Sequence, residues 1–180
     1  MSFKGQETPK DGERLKGRET PGDGECLKGR KSPWDGDFQE NRREQNMATF
    51  KSTEEAREYF KGDRFATLNG MQLDELTEEM SVCSMTLGDG HKNANGGIMG
   101  GVMFTLADLA FAALANNLHM PTVAQQVSIN YLNPPKGGKL IAKATCKKNG
   151  HATKVLNVDV TDDTGRAIAQ FVGTGFKLQM

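Results

Sequence analysis

Gly100–Asn117 (GGVMFTLADLAFAALANN) is apolar on every helical face except at Thr105, Asp108 and its terminal asparagines. A segment of this length and pattern forms a helix, and a helix without a polar face must be buried on all sides. The rest of the chain therefore has to supply a wrapper, and the sequence that follows has the right texture. After the helix the hydrophobic period drops to two. Val123–Leu132 reads as one strand, ended by Pro134-Pro135 and Gly137-Gly138. In Lys139–Lys148 the residues Leu140, Ala142, Ala144 and Cys146 alternate with Ile141, Lys143, Thr145 and Lys147, which gives one inward and one mostly polar face. Asn149-Gly150 is a strong hairpin signal. His151–Thr161 returns with Asn157, Asp159 and Thr161 on one face, and Asp163-Thr164-Gly165 turns into Arg166–Leu178.

Upstream, Ser52-Thr53-Glu54-Glu55 is a capping-box pattern that predicts a short flanking helix over Thr53–Lys61, and Met80–Leu87 reads as a strand. Two turn-rich stretches, Gly88-Asp89-Gly90 and Asn93-Ala94-Asn95-Gly96-Gly97, separate that strand from the long helix. This order predicts an α+β domain over 47–180, an antiparallel sheet curled around one central helix.

Residues 1–46 have a different character. They hold three imperfect copies of a twelve-residue unit, Lys4–Leu15, Lys16–Leu27 and Lys28–Gln39, in the frame KG-x-x-[ST]-P-x-DG. Ten basic and ten acidic side chains with almost no aliphatics cannot bury enough apolar area to offset ordering entropy, so this segment is expected to be a disordered tail. Trp34 and Phe38 are its candidate anchors for a partner.

Charge and cysteine content narrow the function classes. Lys+Arg and Asp+Glu both total 23, so no global field draws nucleic acid or an anionic membrane. Cys26, Cys83 and Cys146 lie far apart without metal or disulfide spacing, and no apolar signal segment precedes the domain, which points to the cytoplasm. No spacing of histidines calls for a metal, and no P-loop or G-x-S-x-G elbow is present; no cofactor is expected.

One residue stands out against this background. Between Lys92 and Lys136 the only formally charged residue is Asp108, set among Leu106, Ala107, Leu109 and Ala110. Burying an unpaired carboxylate costs several kcal/mol or forces it to take up a proton. It can be a desolvated base or nucleophile, or else the N-cap of a shorter helix over Leu109–Asn117. The glycines of Gly96-Gly97-Ile98-Met99-Gly100-Gly101 let backbone approach a ligand, and the free N–H groups of a helix start there suit a developing oxyanion.

The run Asn93-x5-Met99-Gly100-Gly101-x6-Asp108, followed by Val127-Ser128-Ile129-Asn130-Tyr131-Leu132-Asn133-Pro134, resembles the phenylacetate-pathway (PaaI-type) hot-dog thioesterases over about Phe65 to Leu178. The resemblance implies a hot-dog-fold hydrolase of acyl-CoA thioesters, working as a homodimer or homotetramer with sites at subunit interfaces. It implies that Asp108 activates water or attacks, that the Gly100 N–H polarises the thioester carbonyl, and that Asn93 orients carbonyl or water. Met99, Gly101, Thr122, Gln125 and Gln126 are the residues it places near substrate. Two positions depart from the pattern. Met99 stands where the family carries His, and Ala124 where relatives often carry Ser or Thr, with Thr122, Gln125 and Gln126 as stand-ins. A non-catalytic acyl-CoA-binding protein and a hot-dog dehydratase are the competing readings. Lys136, Lys139, Lys147, Lys148 and Lys154 are candidate contacts for CoA phosphates.

Overall fold

A computed structural model of the chain describes residues 48–179. The expected tail and the domain's first and last residues, Met47 and Met180, lie outside the described residues. The elements are α1 (Thr53–Phe60), α2 (Arg64–Leu68), β1 (Gln72–Leu76), β2 (Met80–Thr86), a 3-10 turn (Asp89–His91), α3 (Gly100–Leu118), β3 (Thr122–Tyr131), β4 (Lys139–Asn149), β5 (Thr153–Asp162) and β6 (Ala167–Lys177). All strand pairs are antiparallel, in the order β1-β2-β4-β5-β6-β3. The sheet curls around α3, which is the hot-dog arrangement.

Strand alternation builds the concave face. Leu140, Ala142 and Ala144 of β4, Leu156, Val158 and Val160 of β5, and Ile168 and Phe171 of β6 are fully enclosed against Leu106, Ala107, Ala110, Phe111 and Leu114 of α3. By length and apolarity α3 would suit a membrane span, but here it is the core helix of a sheet. Its close fit depends on a small residue opposite. A Cβ on Gly173 of β6 would come within 2.6 Å of Phe111 Cε2, so glycine lets that ring lie on the strand.

Local signals act as their chemistry requires. Ser52 caps α1 by accepting a hydrogen bond from the Glu55 N–H (3.2 Å), and the Glu55 carboxylate accepts one from the Lys51 N–H (2.7 Å). Gly150, His151 and Ala152 connect β4 to β5, with Gly150 N–H donating to Thr153 O (2.9 Å). Asp162 is buried at the β5–β6 turn, where it accepts hydrogen bonds from the N–H groups of Lys136 (2.9 Å), Gly137 (3.1 Å), Thr164 (3.0 Å) and Arg166 (3.1 Å) and from the Thr164 hydroxyl (2.6 Å). The Thr164 hydroxyl and those N–H groups hold its carboxyl well below the usual range.

Three features differ from the sequence expectation. Helix α2 was not foreseen, because five residues (RFATL) are too few to show a helical period. Nor was β1, whose QLDEL carries no β-branched or aromatic residue. The third difference matters more for function. Helix α3 is not enclosed on every side: Gly101 is exposed, and Thr105, Asp108, Ala112 and Asn116 are only partly covered. Spaced by three or four residues, they form one open stripe down the helix.

Candidate active site

Helix α3 is continuous from Gly100, so Asp108 lies in its interior and does not cap a shorter helix. The core turns toward the sheet and leaves Asp108 on the open stripe, half-buried. Burial, and secondarily the negative charge of Asp63 at the start of α2, push its carboxyl above the ordinary range. No hydrogen-bonding partner among the described residues offsets that shift. A carboxylate in this setting is a stronger base than one in water.

The helix begins at an uncapped end. Met99 occupies the N-cap position with extended backbone (φ −65°, ψ 135°) and offers no side-chain acceptor to the first turn. Its own N–H donates to His91 O (2.9 Å), and its carbonyl accepts from Val102 N–H (3.0 Å). The N–H groups of Gly100 and Gly101 precede the first intrahelical donors and remain available to a ligand. Tyr131, at the end of β3, covers this turn: its hydroxyl donates to Gly100 O (3.1 Å). A Cβ on residue 100 would sit 3.1 Å from the Tyr131 ring, so any larger residue there would press on the ring. Ile98, Gly100, Met103, Tyr131, Leu132, Asn133 and Pro134 line a cavity of about 380 Å³ here.

The remaining candidates are distributed unevenly. Asn93 sits in the loop ahead of α3, where its Oδ1 accepts from the N–H groups of Asn95 (2.9 Å) and Gly97 (3.2 Å), shaping the loop that delivers Met99 and Gly100. Met99 is exposed beside the cavity, with its Cε 3.5 Å from where a Gly101 Cβ would stand. Thr122 lies at the other end of α3; its hydroxyl donates to His119 O (2.6 Å) and its N–H to Asn116 Oδ1 (2.9 Å). Gln125 occupies a bulge in β3, between the Ala124 and Gln126 pairings to β6, and both glutamines are exposed. Within one chain, then, Gly100, Gly101, Met99 and Asn93 gather at the helix start, whereas Asp108, Thr122, Gln125 and Gln126 do not join them. The reading of the sequence missed Tyr131 as the residue covering the helix start and Asp63 as the neighbour of Asp108.

Residues 95–169, from the loop through the helix and into β6, match the thioesterase superfamily. A putative esterase of Archaeoglobus fulgidus is 31% identical over 120 residues, which span 66% of this chain and 78% of that protein. The chain belongs to the thioesterase superfamily. Within it the chain is of the PaaI type: acyl-coenzyme A thioesterase PaaI of Escherichia coli is 27% identical over 71% of this chain and 92% of its own length. The solved structure of that protein superposes with a TM-score of 0.65, covering 69% of this chain and 91% of the other. The structure of a hypothetical thioesterase protein from Streptococcus pneumoniae, solved with coenzyme A, gives 0.62 at 27% identity, covering 67% and 98%. This thioesterase-superfamily chain carries glycines at the helix start and a carboxylate on α3, with Met99 at the N-cap between loop and helix.

Proposed function

We propose that the protein hydrolyses acyl-CoA thioesters to a free acid and CoA, with Asp108 as base or nucleophile and the Gly100 backbone N–H as the carbonyl-polarising donor. The observation that carries this reading is the desolvated carboxylate on the open stripe of α3, on a helix whose uncapped start faces a cavity. The names of its E. coli relative and the coenzyme A in its pneumococcal neighbour support the substrate class.

The spacing along α3 supports a site built from two chains. Asp108 lies eight residues beyond Gly100, about 12 Å along the helix at a rise of about 1.5 Å per residue. A base and an oxyanion donor must both come within about 3 Å of the reacting groups. One chain cannot bring them to the same thioester carbon. Two chains related by a two-fold axis can, with Asp108 of one facing the helix start of the other. Asn93, from the same loop as the Gly100 donor, then orients the carbonyl or water, and the exposed Gln125 and Gln126 of β3 lie on the edge where the chains meet.

In the base route Asp108 takes a proton from water as the hydroxyl oxygen bonds to the thioester carbon. The carbonyl electrons move onto oxygen, where the Gly100 N–H stabilises them. Collapse breaks the C–S bond, and the CoA thiolate leaves and is protonated. In the nucleophilic route the Asp108 carboxylate attacks the thioester carbon first, the C–S bond breaks and the CoA thiolate leaves and is protonated, and water then cleaves the mixed anhydride to the free acid and the Asp108 carboxylate. Met99 cannot transfer a proton, so its part is to shape the entrance.

The test is release of free thiol from a panel of acyl-CoAs. Turnover of a responsive substrate should fall at least about a hundredfold in Asp108→Asn, since a positioned base is typically worth about 10²–10⁴. Substrate should still bind. Binding without thiol release by the unaltered protein would favour the acyl-CoA-binding alternative, and unchanged turnover in Asp108→Asn would remove the carboxylate from the mechanism.

A further inference from the structure

The opposite end of α3 holds a feature that thioester cleavage does not use. Of the five lysines that could meet CoA phosphates, Lys136, Lys147 and Lys148 are exposed and Lys139 is partly so, while Lys154 has no exposed surface at all. It falls in the inward register of β5, the register that continues through Leu156, Val158 and Val160. Its Nζ has no hydrogen-bond acceptor among the described residues. Buried lysines ordinarily have an anionic partner, because an amine taken from water loses its hydration. The titratable groups that bear on Lys154 are Lys177 at the end of β6, Cys146 of β4 and His119 beyond the end of α3; no carboxylate is among them in the described residues.

Lys177 is the charged neighbour that acts on Lys154 most strongly, through its field and a side-chain contact. Burial first, and Lys177 second, bring the Lys154 amine down to about 7. His119 is lowered by its own burial and then by both lysines, opposed in part by backbone hydrogen bonds at Pro121 and at His119 itself, and its buried Nδ1 lacks a partner among the described residues. Two buried nitrogens, Lys154 Nζ and His119 Nδ1, lack a hydrogen-bond partner among the described residues, and Lys177 acts on both groups. Beside them lies a cavity of about 890 Å³, lined by His119, Lys177, Pro121, His151, Phe176 and Leu178 among others. His119 and Lys177, the two groups whose charge is coupled to that of Lys154, are in its wall, whereas Lys154 itself is not.

We propose that this cavity binds the phosphate group of an organic phosphate, which Lys177 and His119 contact and Lys154 supports from behind with charge. Two amines and a ring nitrogen match an anionic group with several acceptor oxygens, whereas a carboxylate would be satisfied by one cation. The cavity is far larger than a phosphate ion and falls in the range of about 300–1,000 Å³ typical of pockets for organic ligands. It lies about 28 Å along the helix from the uncapped start, counting about 1.5 Å per residue from Gly100 to His119. The phosphate can come from the CoA end of a substrate or from a separate phosphorylated metabolite. The site does not depend on the hydrolytic reading, because its occupancy is measured without turnover.

Calorimetric titration of the full chain with inorganic phosphate at pH 6.5, with ionic strength held constant by sodium chloride, tests the site. Saturable binding is expected in the unaltered protein and in the outward-facing control Lys143→Met. Lys177→Met and Lys154→Met should each raise Kd at least about tenfold, the equivalent of about 1.4 kcal/mol. Absence of saturable phosphate binding, or equal binding in both variants and the unaltered protein, overturns the proposal. Thermal melts of Lys154→Met confirm that it folds, and Lys177→Met at the partly exposed wall keeps the test decisive if it does not. Repeating the titration with CoA already bound distinguishes the sources: lost phosphate binding assigns the site to CoA, and unchanged binding assigns it to a separate organic phosphate.

Discussion

Two aspartates in this chain show how environment divides one side chain into different roles. Asp162 is buried yet surrounded by donors, which favour its charged form, and it clamps the β5–β6 turn to the segment after β3. Asp108 is less deeply buried but lacks donors, so burial and Asp63 act on it unopposed. Its prominence was legible in the sequence because it interrupts a long uncharged stretch. The influence of Asp63 was not, since it depends on how the short helix α2 packs back toward α3. If Asp108 must be ionised to act, the acid limb of the pH–rate profile should lie above the ordinary carboxylate range. Asp63→Asn should then move that limb to lower pH, while the asparagine preserves the cap on α2. A limb that stays in place would show that Asp63 does not govern the reacting group. Stability follows the same sign. The folded-state carboxyl is raised, so the protein holds a proton that the unfolded chain releases, and stability is lost as pH climbs from the ordinary value through the raised one. Asp108→Asn should therefore match or exceed the unaltered protein in melting temperature at neutral pH, with the advantage vanishing in acid.

The elements themselves were readable wherever a period ran long enough. Helix α3 and strands β3 to β6 each present ten or more residues of consistent pattern and were anticipated within a residue or two at most ends. Pattern could not show which glycines serve contacts between elements. Gly173 looks like any small strand residue, and only the fold reveals Phe111 lying across it. Gly173→Ala should cost about 1–3 kcal/mol through overpacking, measured by denaturant unfolding. A loss well under that range would mean that the ring shifts aside at little cost. Tyr131 offers a functional counterpart. Its hydroxyl holds the carbonyl of Gly100 while its ring packs over the same residue, so it sets the aim of the helix start. Tyr131→Phe keeps the ring and removes that bond. Folding should change by no more than about 1 kcal/mol, while kcat falls several-fold with KM nearly unchanged. Equal changes in kcat and stability would reduce Tyr131 to a packing residue.

For the whole molecule, the open stripe on α3 and the sheet edge at β3 make the same argument. β3 is an edge strand with Val123, Tyr131 and the adjoining Leu132 exposed, and an unpaired edge of ten residues invites a second chain. The stripe carrying Asp108 stays uncovered in one chain, and the helix rise separates Asp108 too far from Gly100 for one chain to complete the proposed site. Antiparallel pairing of β3 with its own copy would continue the sheet and cover both features in one closed, two-fold arrangement. Sedimentation of the unaltered protein at micromolar concentration should show dimers or tetramers and no stable monomer. Ser128, exposed midway along β3, is where a charge would be most disruptive, because a two-fold axis near the strand centre sets like charges close together. Ser128→Lys should yield a monomer whose far-ultraviolet dichroism matches the unaltered chain and whose thiol release is lost with the dimer. Turnover by that monomer at the unaltered rate would place a complete site within one chain, and with it would go the division of labour between Asp108 and the Gly100 of a second subunit.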